Sequence, residues 1–204
     1  MTGRRLPVGV IQEIRMNQPL LNAALCIAFA LGAPGYAFAQ PTPASGAADS
    51  SAAITKLNSE DRGFLTKAAE SGYMEIAGGK LALQKSRSPQ VKQFAQKMID
   101  DHTKLGEQIQ ALVKKKGYET PTQPSLIQAA KLKALELRDD GFDEAYGDEI
   151  GVDAHEDAIE LFEEAAAHAT DDDLKHFAAD TLPRLKHHLD MARALRKAIK
   201  DPAK

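Results

Sequence analysis

Between Ser88 and Gly117 the chain carries one unbroken stripe at three- and four-residue steps: Val91, Ala95, Met98, His102, Leu105, Ile109 and Leu112. Only an α-helix puts such positions on a single face. Ser88 suits the N-cap, Pro89 suits the first helical position, and Gly117 follows three lysines after the last turn. A helix with a long apolar stripe must bury it against partners, and three further segments of similar pattern supply them.

The first runs over 59–86, with Asn58 and Asp61 as a capping pair and acidic Glu60 and Asp61 suited to the helix dipole. Its stripe is Phe64, Ala68, Ser71, Glu75, Gly78 and Ala82, flanked by Leu65, Ile76 and Leu83. Gly78-Gly79 costs helix propensity, so its expected use is close approach of a neighbouring helix. The third helix is expected over 143–169, with Tyr146 (or Ala145), Val152, His155, Ile159, Phe162 and Ala166 inward. The fourth follows a tight turn, with Thr170 and Asp173 as a second capping pair. Its stripe is Leu174, Ala178, Thr181, Leu185, His188, Ala192, Leu195 and Ile199, and Pro183 is expected to kink it.

The connection over 117–142 is too long for a tight turn; Pro121 and Pro124 break it, and 126–137 reads as a short helix. Two hairpins joined by one long crossover is the ferritin-like arrangement. Scarce aromatics (5%), no tryptophan and abundant alanine agree with helices. The expected fold class is therefore all-α, a ferritin-like antiparallel four-helix bundle over 58–200 whose B–C crossover contains a short helix.

Upstream, Arg4, Arg5 and Arg15 precede an apolar stretch from Leu20 to Phe38 that ends in Ala37-Phe38-Ala39. This is the pattern of a signal peptide over 1–39, cleaved after Ala39. Gly32, Pro34 and Gly35 interrupt the stretch, which argues against a membrane anchor, and no span is expected after cleavage. Met16 is a second candidate start. Residues 40–57 read as a flexible Pro/Ala/Ser-rich linker. The expected location is the periplasm or the exterior. The only cysteine, Cys26, falls in the signal, so the mature chain has no disulfide and no thiolate ligand. Formal net charge is −3, and basic residues alternate with acidic ones without a basic stripe. Nucleic acid is not an expected partner. Protein partners and oligomeric state, a homo-oligomer included, stay open.

Each stripe contains one ionisable residue: Glu75, His102, His155 and His188. Helical phase points them inward, and counting from the hairpin turns puts the members of each hairpin within about 4.5 Å of the same height. One carboxylate and three imidazoles can therefore converge. Buried and unpaired, each costs roughly 1–3 kcal/mol. Imidazole with carboxylate suits one divalent ion such as zinc, copper or iron, with Asp101 and Asp148 as candidate supporting contacts and Asp148 also a candidate ligand. The competing reading is a metal-free hydrogen-bond network. His187 is rotated about 100° from the stripe, and His168 and His176 sit near the last turn.

Several motifs occur in a recognisable order: Asp61-Arg62-Gly63-Phe64-Leu65, Glu75, Val91-Lys92-Gln93-Phe94-Ala95 with Met98, and Asp101-His102. Phe142-Asp143 with Tyr146, His155, Leu182-Pro183 and His188-Leu189 follow. Over 59–195 the chain resembles the bacterial domain-of-unknown-function family numbered 4142. The resemblance implies an exported, ferritin-like bundle of the periplasm or envelope, without an established activity. Di-metal ferritin-like proteins use paired Glu and Glu-x-x-His motifs, whereas Ile99, Val152 and Leu185 stand three residues before these histidines. A single-ion site, or none, fits better than a di-iron oxidase or storage shell.

Three functions stay open from sequence. The leading one is a stress-associated periplasmic protein holding one transition-metal ion. A metal-dependent redox enzyme is the second, against which stand the missing Gly-rich phosphate loop and the missing serine or cysteine nucleophile. The third is a metal-free structural or interaction module, its polar core fixing helix register.

Overall fold

Asn58 and Ser88 start the first two helices as side-chain caps, accepting from the amides of Asp61 and Val91. The computed structural model describes residues 56–201. The helices are α1 (Ser59–Lys85), α2 (Pro89–Lys115), α3 (Leu126–Glu136), α4 (Phe142–Ala145), a π-helical segment (Tyr146–Asp153), α5 (Ala154–His168) and α6 (Asp172–Lys200). Among the described residues there is no strand, so the chain is all-α there. The expected signal, Cys26 and all but the last two residues of the expected linker lie outside the described residues. Leu57, at the linker's end, is already buried.

Phe64, near the start of α1, meets Phe162 near the end of α5, ring centroids 5.1 Å apart. Gly78, late in α1, faces Ile150 of the π segment. The α1 and π–α5 segments therefore run in opposite directions. Short turns make α1–α2 and α5–α6 antiparallel hairpins, so α2 and α5 run the same way. Residues 116–141 must return along the whole bundle, about 40 Å for a 27-residue helix. Tyr118, bonded to Thr66 at 3.3 Å, marks the start of that return, and Lys85 bonded to the Glu136 carbonyl marks its end. Within α3, whose Ser125–Gln128 capping box is complete, Leu135 turns inward while Leu126 and Ile127, with Leu137 just past the helix end, are exposed.

The glycine pair acts as expected. A Cβ on Gly78 would lie 2.9 Å from Ile150, and one on Gly79 would lie 2.8 Å from Ile99 and 3.1 Å from the Ala95 carbonyl. Gly79→Ala therefore forces apart two backbones, which outweighs the roughly 1 kcal/mol of helix propensity it gains. A net loss of about 1–2 kcal/mol in urea unfolding is expected.

Three local expectations are corrected. Asp171, rather than Thr170, caps α6, accepting from Leu174 N–H. Asp61 does not reach back to Asn58; its carboxylate accepts from Thr170 and Asp171 across the bundle. The third helix is not a uniform α-helix. Residues Tyr146–Asp153 are π-helical, and Ala154 N–H reaches five residues back to Glu149. Gly147 and Gly151 lie in this wider segment, where a Cβ on Gly151 would come within 3.3 Å of Ala192 on α6. By contrast, α6 runs through Pro183 without a break.

The core has two apolar halves. Met98, Val152 and Leu189 belong to one; Leu105, Ala158 and Leu185 belong to the other. Between these pairs in sequence stand His102, His155 and His188. The polar side chains thus form a layer between the two halves.

Candidate metal centre

Helix geometry turns the four expected residues inward: Glu75, His102, His155 and His188 are all buried, none more than 3% exposed. His102 comes from α2, His155 from α5, and His188 from α6. Their ring centroids form a nearly equilateral triangle with sides of 5.4 to 5.5 Å. One nitrogen from each ring lies within 4.8 Å of the other two.

Hydrogen bonds fix which nitrogens are free. His155 Nδ1 lies 2.8 Å from the Gly151 carbonyl oxygen. A carbonyl only accepts, so Nδ1 carries the proton and Nε2 keeps its lone pair. The carbonyl lies in the π segment, whose i→i+5 bonding shifts carbonyls off their usual donors. His188 Nε2 lies 2.9 Å from Asp101 Oδ2. An ionised carboxylate also only accepts, which leaves the His188 Nδ1 lone pair free. Asp101 is ionised: burial alone would raise it, but Lys97 at 2.7 Å and His188 hold it down at about 2. His155 Nε2, His188 Nδ1 and both nitrogens of His102 are buried without a partner.

Glu75 sits beside the triangle rather than within it. Its Oε1 is 3.5 Å from His155 Nδ1, the nitrogen already committed to Gly151. Neither of its oxygens has a hydrogen bond, and burial pushes its carboxyl well above the usual range. Asp148 is elsewhere: its carboxylate faces Lys200 at 3.1 Å and Arg196 at 3.8 Å. Seven residues of uniform α-helix would align it with His155, but the π-helical turns between them change the phase. His168, His176 and His187 are exposed. Sequence reasoning missed Tyr146 as a polar neighbour; its hydroxyl is buried without a partner, and burial followed by Glu75 raises its pKa.

Burial sets the charge of these groups. Desolvation, followed by the neighbouring imidazoles, holds His102 well below the ordinary imidazole range, and desolvation brings His155 down from 6.5 to about 4. His188 is also lowered by desolvation, against the pull of Asp101. The imidazoles are therefore neutral at pH 7. Because the folded pKa of His155 lies below its unfolded value, the unfolded chain takes up the proton first. Its stabilising effect is complete above about pH 6.5 and is lost as pH falls through about 4. Metal-free protein should lose about 3 kcal/mol through His155 between pH 7 and 4, seen in denaturant midpoints and reduced in His155→Phe. Glu75 has the opposite sign: its raised pKa favours folding below about pH 4.5 and costs stability as pH rises.

The fold and site define an all-helical domain whose core is cut by a buried triple-histidine layer. A family model described as Domain of unknown function (DUF4142) matches residues 46–195, and the chain belongs to that family. No curated protein and no solved structure matches the chain.

Proposed function

We propose that this domain binds one transition-metal ion through His102, His155 and His188, with Asp101 supplying compensating negative charge and Glu75 standing beside the site. The observation that carries this reading is the arrangement of unpartnered nitrogens. His155 and His188 each have one nitrogen tied to an oxygen, and each leaves the other nitrogen buried without a partner. Metal-ligating histidines are oriented in this way by carbonyls and carboxylates. Three imidazoles suit zinc, copper or iron, with an open fourth position. Ligands of tetrahedral zinc are about 3.3 Å apart, so spacings of up to 4.8 Å require rings to close by at most about 1.5 Å.

The ferritin-like assignment is part of the same proposal. It is supported by parallel α2 and α5 segments joined by a connection that returns along the bundle. Export is supported by the basic start, the apolar stretch and Ala37-Phe38-Ala39. Among the described residues no helix is long and apolar enough to cross a membrane.

Elemental analysis of untagged protein beside a His102→Ala/His155→Ala variant tests the reading. About one ion per chain, lost in the variant, supports it. No uptake of zinc, copper or iron by either protein would leave a polar core that serves structure alone. Asp101 offers a finer check because it touches His188 without joining the triangle. Asp101→Asn should weaken zinc binding about 10–100-fold in competition titrations while leaving helicity unchanged.

A further inference from the structure

Among the described residues, the ligand atoms close enough together to share one ion belong to His102, His155 and His188, and no carboxylate joins them. Glu75 Oε1 lies 3.5 Å from His155 Nδ1, which is already bonded to Gly151. Asp101 reaches Nε2 of His188 rather than its free Nδ1, and the same oxygen, Oδ2, also accepts from Lys97 at 2.7 Å. One carboxylate is therefore hydrogen-bonded to the triangle, at one remove from any ion. The cost of burying an ion grows with the square of its charge, so a dication costs about four times as much as a monocation. Asp101 balances one positive charge and not two.

The fourth position that three imidazoles leave has no protein ligand among the described residues, and it is also closed to water. Both nitrogens of His102, Nε2 of His155 and Nδ1 of His188 are shut off from solvent. The core on either side is apolar, with Met98, Val152 and Leu189 in one half and Leu105, Ala158 and Leu185 in the other. Zinc takes four ligands, and Cu(II) takes a square array of nitrogens and oxygens. Cu(I), a soft monocation with a filled d shell, accepts three nitrogens in a plane. The three ring centroids already stand in a nearly equilateral triangle. Planar trigonal ligands lie about 3.5 Å apart, so the rings close less from 4.8 Å than a tetrahedral ion demands.

We infer that the ion held by His102, His155 and His188 is Cu(I), bound by three imidazoles with no fourth ligand. The inference rests on the metal reading and specifies its ion. Selectivity then comes from what the fold withholds: a second negative charge and a water. Leu105 stands one turn from His102, and both border the groove between α1 and α2. Truncating Leu105 lets water approach the ion from that side, which helps a tetrahedral ion and does little for a trigonal one.

The test loads the full untagged chain without air, in parallel with Cu(I) supplied as its bicinchoninate complex and with zinc chloride. One Cu(I) per chain should bind at least a thousandfold more tightly than zinc in competition titrations. Copper X-ray absorption of the loaded protein should show three nitrogen neighbours and no fourth. Leu105→Ala should tighten zinc binding about tenfold and leave Cu(I) binding within about twofold of the parent. The absorption measurement on the parent decides the coordination whether or not that variant folds. Zinc bound within tenfold of Cu(I), a fourth neighbour on copper, or no gain for zinc in folded Leu105→Ala overturns the inference and leaves the metal reading standing. Uptake of neither Cu(I), zinc nor iron overturns both.

Discussion

Zinc at a thousandfold excess over its dissociation constant should raise the thermal midpoint by about 8–16 °C. Such an excess stabilises the folded state by about 4 kcal/mol, and a domain of this size gains about 2–4 °C per kcal/mol. The unfolded chain has no preformed triangle, so binding energy becomes folding energy. His102→Leu makes the expectation sharper because its two effects have opposite signs. In the metal-free protein both ring nitrogens of His102 are buried without partners, so an apolar replacement should stabilise by about 1–3 kcal/mol. The same variant should lose the zinc-induced shift. If His102→Leu instead broadens or abolishes cooperative unfolding, the histidine layer serves helix register.

The second large effect belongs to Asp61, at the opposite end of α1 from its glycine pair. Its side chain is 3% exposed and accepts from Thr170 N–H at 3.1 Å, Thr170 Oγ1 at 2.7 Å and Asp171 N–H at 3.1 Å. Those amides lie in the turn between α5 and α6. Asp61→Ala leaves them with no acceptor and removes a latch between the two hairpins. A loss of about 3–5 kcal/mol in denaturant unfolding is expected, with partial recovery in Asp61→Asn. A loss below about 1 kcal/mol would mean that desolvation of the carboxylate cancels its hydrogen bonds. Lys116, paired with Asp171 and Asp173 at 2.6 Å each, holds the same end together from α2.

Much of the site was legible because it rests on local periodicity. The inward phase of His102 follows from Met98 and Leu105 on either side, and that of His188 from Leu185 and Ala192. Both pairs of neighbours are buried, as an α-helix of constant pitch requires. Asp148 shows where local periodicity fails. Its alignment with His155 assumed constant pitch, and the π-helical turns between them removed it. Nothing in the segment marks that change except Gly147 and Gly151, whose meaning depends on how closely α6 approaches.

The sequence by itself determined the helices, their starts at Asn58 and Ser88, the all-α class and the depth of the four polar residues. These are properties of a chain segment and its own neighbours, set by capping, propensity and the 3.6-residue repeat. Only the tertiary structure decided that the three imidazoles close into a triangle while Glu75 stands beside it. It alone decided that Asp101 rather than Asp148 orients a histidine and that Asp61 latches a distant turn. Each of these depends on the distance between atoms on different helices, which packing sets and no single helix encodes.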